Sequence, residues 1–169
     1  MPGPKIDLLV AQMEKARRDT LAAAGKVPVE ARLRQLQEGK ATPLWLLGHL
    51  ANTVNTVVLR WIFLQESILT REQAKAFSPD FAMGLPPSTD ASQYPTWDEV
   101  VALYDTAMTR AIDGIRELDE GQLPEALPGK LPDPLRAFFS SIETTLMQMV
   151  SHDAYHRGQI GMLAALKLD

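Results

Sequence analysis

Proline constrains this chain more than any other residue type. Its ring fixes φ, removes a backbone donor and clashes with the preceding helical turn, so a cluster of prolines marks a connection. Of 12 prolines, Pro79, Pro86, Pro87 and Pro95 fall in one stretch and Pro124, Pro128, Pro132 and Pro134 in another. The segments between them hold few β-branched runs and repeat their apolar residues at helical spacing. A first helix is expected from about Ile6 to Ala24, with Ile6, Leu9, Val10, Met13, Ala16, Thr20 and Leu21 on one face. Gly25 and Pro28 end it in the expected order. A short helical turn fits Ala31 to Gln37.

A second helix begins with Thr42 as N-cap and Pro43 in the first helical position. Its apolar face reads Leu44, Leu47, Ala51, Val54, Val58 and Ile62. Thr70 with Gln73 forms a capping box that opens a short extra helix before the first proline cluster. Thr96-Trp97-Asp98-Glu99 is another, opening a third helix with Val100, Leu103, Tyr104, Ala107, Ala111, Ile115 and Leu118 on its face. The last helix occupies about Ser141 to Leu166, with Ile142, Leu146, Met149, Ile160 and Leu163 inward. Four long amphipathic helices, with long connections after the second and third, predict an all-α four-helix bundle. A length of 169 residues suits a single domain over 1–169.

Composition excludes several chemistries. There is no cysteine, which removes disulfides, thiolate zinc sites, Fe–S clusters and cysteine nucleophiles. Lys and Arg number 17 against 21 Asp and Glu, a net charge of -4. A duplex nucleic-acid binder needs a positive stripe, so no nucleic-acid partner is expected. Neither a signal peptide nor a membrane span is recognisable: the most apolar stretch, Thr56 to Leu64, is interrupted by Arg60 and falls far short of the ~20 residues a bilayer requires. A cytoplasmic location is expected.

Only three histidines occur, His49, His152 and His156. The last two stand four apart on one helix, so both imidazoles leave the same face one turn apart, the spacing by which a helix offers two nitrogens to one ion. His49 lies midway along the second helix at the edge of its apolar stripe, where a bundle supplies a distant third ligand. All three on inward faces predict a tri-histidine metal site. Neutral nitrogen ligands with open positions suit Zn²⁺, Ni²⁺ or Fe²⁺. Asn52 and Trp45 flank His49, Gln148 precedes His152 by a turn, and Gln159 follows His156 by three residues. The amides either orient a ligand or simply end a hydrophobic face. Tyr155 either donates a phenolic proton near the site or packs in the core. Asp153 and Arg157, i and i+4 with opposite charge, read as a solvated pair. Ala154, Gly158, Gly161 and Ala165 make a small-residue ridge that implies close approach of another helix, in the same bundle or in a second copy.

His49-Leu-Ala-Asn52 on the second helix and Ser151-His-Asp-Ala-Tyr-His-Arg-Gly-Gln-Ile160 on the last resemble the DinB/YfiT-like superfamily. The similarity covers nearly the whole chain in helix order and loop placement. It implies a DinB-like four-helix bundle, commonly a homodimer, whose three histidines matching His49, His152 and His156 bind a divalent metal, often nickel or zinc. It also implies a metal-dependent enzyme acting on a small molecule, of the hydrolase type or of the S-transferase type that uses a low-molecular-weight thiol. In either case Asn52, Tyr155 and Gln159 are the candidates to position substrate. The alternative is a non-catalytic metal-binding or stress-response bundle. A zincin protease is disfavoured, because His152-Asp-Ala-Tyr-His156 has the shorter Asp where that chemistry needs Glu, and only Arg157 to Asp169 remain downstream for a third ligand.

Overall fold

The computed structural model describes residues 3–79 and 84–166. Helices carry the fold, and no strand occurs among the described residues. Helix α1 is Pro4–Ala24, with Pro4 at its first position and Ile6, Leu9, Met13, Ala16, Thr20 and Ala24 buried at steps of three and four. The expected turn after it is a single 3₁₀ turn, Val29–Ala31, slightly earlier than the sequence pattern suggests. Helix α2, Pro43–Thr53, starts where Thr42 accepts the Trp45 backbone N–H at 3.1 Å. Helix α3 is Arg71–Ala76 and helix α4 is Trp97–Arg116, each opened by a complete capping box. Helix α5, Asp133–Arg136, is one turn inside the second proline cluster. Helix α6, Ile142–Ala165, is capped by Ser141 and buries Ile142, Leu146, Met149, Ile160 and Leu163 as expected.

The four long helices pack as a ring. Helix α4 lies against α1 and α2, and α6 lies against the same two. Helices α1 and α2, consecutive in sequence, therefore sit across the ring from each other, which their 25–42 connection is long enough to allow. Helix α2 is buried on nearly every side: Pro43 through Asn52 are all shielded from solvent. Amphipathic spacing suggests one inward stripe. The stronger signal is that no charged residue stands between Lys40 and Arg60, and a helix apolar all round belongs inside.

Beyond Thr53, helix α2 continues without a break as a π-helical segment, Val54–Ile62. The wider turn persists to the end, where the Phe63 amide bonds the Val58 carbonyl at 3.1 Å. Leu64 then adopts a left-handed conformation with φ 54°, and the Gln65 amide closes on the Leu59 carbonyl at 2.8 Å. That is the geometry of a glycine-type helix end, made here with a leucine. The second proline-rich connection lies across this segment. The Gly129 amide donates to the Trp61 carbonyl at 2.9 Å, and a Cβ at Gly129 would stand 2.5 Å from the Trp61 Cα.

Asp153 corrects the reading of a solvated ion pair. It is only 3 % exposed and accepts from Thr20 Oγ1 at 2.7 Å and from Tyr104 Oη at 2.6 Å, with Arg157 Nη1 at 3.3 Å. One carboxylate thus ties α6 to α1 and α4, next to a histidine of the site.

Candidate metal centre

Two helices bring the histidines together. His152 and His156 project from adjacent turns of α6, and their Nε2 atoms are 3.1 Å apart. His49 reaches them from α2, its Nε2 3.2 Å from that of His152. The three possible ligand atoms all lie within 4.8 Å of one another.

Each outer histidine has its tautomer chosen for it. His49 Nδ1–H donates to the Phe77 carbonyl at 3.0 Å, and His156 Nδ1–H donates to Gln159 Oε1 at 2.6 Å. Both therefore present a bare Nε2 lone pair toward His152. The Phe77 bond depends on a missing side chain. A Cβ on Gly48 would fall 2.2 Å from the Phe77 ring, so only glycine lets that ring lie against α2 and bring its carbonyl to His49. Trp45 completes the seat, stacked on His49 at 4.8 Å with planes 7° apart while its indole N–H donates to the Ala76 carbonyl at 2.9 Å.

Electrostatics keep the cluster neutral. Burial pushes His49 down to about 4, partly opposed by its bond to Phe77 and helped by His156. Burial, then the neighbouring His156 and His49, pushes His152 down to about 3. His156 is lowered by burial too, against the opposing bond to Gln159. Crowded, unprotonated nitrogens fit a divalent cation, whose bonds to imidazole are about 2.0–2.1 Å. They fit a hydrogen-bonded core poorly, because the Nε2 of His152 has at most one proton to share between two acceptors.

A family model described as the DinB superfamily matches residues 12–160. The chain belongs to the DinB superfamily. No curated protein matches its sequence. The matched span of this DinB-superfamily chain contains α2, α4, most of α1 and α6, and all three histidines.

A cavity of about 320 Å³ opens beside the cluster and is lined by His49 and His152. Its other walls come from the end of α2 and the π-helical segment, the end of the α3 turn, the second proline-rich connection, and α6. Asn52 lines it, fixed by Nδ2 donating to the Ala74 carbonyl at 3.2 Å and to Ser78 Oγ at 3.0 Å. Gln148 lines it as well, with Nε2 on the Phe138 carbonyl at 2.9 Å. Gln159 is placed elsewhere, holding His156 and lining a separate groove with Leu36, Lys40 and Met162. Tyr155 is 65 % exposed, neither core nor cavity wall, and meets the site through its ring, edge-on to His156 at 5.0 Å, and through Gln159 Nε2, 3.4 Å from its hydroxyl. Sequence reasoning missed Phe77, which acts through a backbone carbonyl, and the aromatic wall of Trp61, Phe138 and Phe139. The sequence signals for these were the Thr70 capping box, which opens the short helix that stops at Phe77, and the paired Phe just after the second proline cluster.

Proposed function

We propose that this chain is a metal-dependent enzyme of the DinB superfamily acting on a small molecule. In this reading residues 1–169 form one domain, and His49, His152 and His156 hold a divalent ion, nickel or zinc before iron. The observation that carries it is the convergence of three neutral imidazoles at the edge of an apolar cavity. A purely structural ion would be closed off by a fourth protein ligand, whereas a catalytic one keeps a position facing the substrate space. A cation held there supplies Lewis acidity, the means by which a water or thiol becomes a nucleophile at neutral pH.

The chain's own groups do the rest. Phe77 and Gln159 hold two imidazoles in the ligating tautomer, and Asp153 anchors the α6 turn that carries His152. Asn52, rigid between two acceptors one turn from His49, is the group best placed to meet substrate. The reaction is hydrolysis or thiol-dependent S-transfer. A non-catalytic metal-binding bundle is the competing reading, and the open cavity speaks against it.

A homodimer in the cytoplasm belongs to the same reading. Met147, Tyr155 and Met162 are exposed on one face of α6, and a Cβ at Gly158 or Gly161 meets nothing within 4 Å. The small-residue ridge thus turns away from the chain's own bundle and is free for a second copy; sedimentation giving only monomer would remove it.

The test of the function is metal content of freshly purified protein, zinc and nickel reconstitution, and a panel of ester, amide and thiol-transfer substrates. His152→Ala should lose the ion and any activity while staying helical, because one of three ligands goes and the apolar face of α6 remains. Full metal occupancy in that variant, or no ion bound by the natural chain, refutes the proposal.

A further inference from the structure

The cavity beside the histidines has walls that restrict what can enter it. At about 320 Å³ it stands at the small end of sites that take one small molecule. Trp61 and Phe139 meet edge to face at 5.7 Å, and Phe138 and Phe139 at 4.8 Å, with Val57 and Met149 beside them. Flat rings are the shape such walls favour. Among the described residues, no Asp, Glu, Lys or Arg lines the cavity. In the ion-free chain a charged body would shed its hydration there and find no opposite charge in return.

Two polar atoms break the pattern. Asn52 Oδ1 and Gln148 Oε1 are shut off from solvent and have no hydrogen-bond donor in the protein. Neither amide can turn over to relieve this, because each NH₂ is already committed to a backbone carbonyl, of Ala74 and of Phe138. The two residues sit one turn from His49 and one turn from His152, on the two helices that carry the histidines. An acceptor left unpaired in a buried site is costly, and a ligand donor is one way to satisfy it.

We propose that this cavity takes a neutral aromatic molecule bearing a hydroxyl or N–H, with the donor held at the histidine end by Asn52 Oδ1 and Gln148 Oε1 and the ring against Trp61 and Phe139. The inference rests on the enzyme reading for its meaning as a substrate site. The binding itself does not require the ion.

The test is calorimetric titration of the full chain, chelator-treated and again zinc-loaded, with three probes: 2-naphthol, 2-methoxynaphthalene and naphthalene-2-sulfonate. The naphthol should bind about tenfold more tightly than its methyl ether, the worth of one buried hydrogen bond, and the sulfonate should bind the chelator-treated chain too weakly to measure. Gln148→Met, at a partly exposed helix position, keeps the shape and deletes the acceptor; the preference for naphthol over the ether should shrink severalfold while ether binding stays. Asn52→Leu should do the same, with circular dichroism checking the fold because Asn52 also holds Ala74 and Ser78. Equal binding of naphthol and ether, sulfonate binding to the chelator-treated chain as tight as naphthol, an undiminished preference in both variants, or no binding of any probe overturns the inference. Naphthol preference without zinc retention sinks only the metal reading. Zinc retention without the preference sinks only this one.

Discussion

Replacing Asp153 with alanine separates two accounts of the last helix. If Asp153 and Arg157 were a solvated pair, the change would cost about 0–1 kcal/mol. In the structure the carboxylate accepts two hydroxyls, Thr20 at 2.7 Å and Tyr104 at 2.6 Å, and both of those residues are fully buried. Alanine leaves both donors without a partner and without water, at about 1–3 kcal/mol each. Part of that returns, because the carboxylate itself is held at a desolvation cost, visible as an upward push on its pKa whose largest cause is burial. The net expectation is a loss of about 3 kcal/mol, a large share of the ~5–15 kcal/mol that holds a domain folded. Tyr104→Phe should cost less, about 1 kcal/mol, since Asp153 keeps Thr20 and Arg157. Because both changes touch one bond, the double variant should be less destabilised than the sum. Urea denaturation with the m-value monitored measures all three. A loss below about 1 kcal/mol for Asp153→Ala, or strict additivity with Tyr104→Phe, would refute the buried-anchor account.

Two further outcomes follow from the site. In chelated protein the folded-state values of His49 and His152 lie near 4 and 3, below the ordinary value near 6.5. The unfolded chain therefore takes up protons that the folded chain refuses; stability is full above pH about 6.5 and falls as the pH drops toward 4, His49 alone accounting for about 2 kcal/mol at pH 5. Denaturation midpoints that stay level from pH 7 to pH 5 would contradict this. Gly48→Ala places a Cβ 2.2 Å from the Phe77 ring. The ring must shift, at about 1–3 kcal/mol, and its carbonyl leaves His49, so zinc affinity should drop about 10–100-fold in a chelator competition; unchanged affinity would show that the Phe77 bond does not orient the ligand.

Local chemistry made the outline of the fold legible. Thr42, Thr70 and Thr96 all cap helices in the structure as their sequence neighbourhoods predict, because a cap is decided by a handful of neighbouring residues. The ring order of the helices was not legible, since a proline says where a chain stops being helical and nothing of which helix it crosses to. The π-helical run Val54–Ile62 was equally hidden. Val54, Val58 and Ile62 read as an ordinary α stripe and are indeed buried, but so are Asn55, Val57 and Leu59, because the segment is enclosed on several sides and not only on one.

The site divides the same way, between what side-chain identity reveals and what only the backbone supplies. Three histidines in a cysteine-free chain, two of them a turn apart, point to one cluster from sequence alone. What makes the cluster chemically usable came from elsewhere. The proton on His49 is steered by the Phe77 carbonyl, and that carbonyl is where it is because Gly48 has no side chain to keep the ring away. The π-helical segment adds to this: such segments concentrate at functional positions, and here Thr56, Val57 and Trp61 from it form one wall of the cavity. Asp153 shows how a rule of spacing fails. Its i+4 partner is real, but spacing along α6 cannot reveal that Thr20 and Tyr104 arrive from two other helices and turn a surface charge into a buried joint. His152 stands one residue from Asp153, so the joint that ties α6 to α1 and α4 lies directly beside the candidate metal centre.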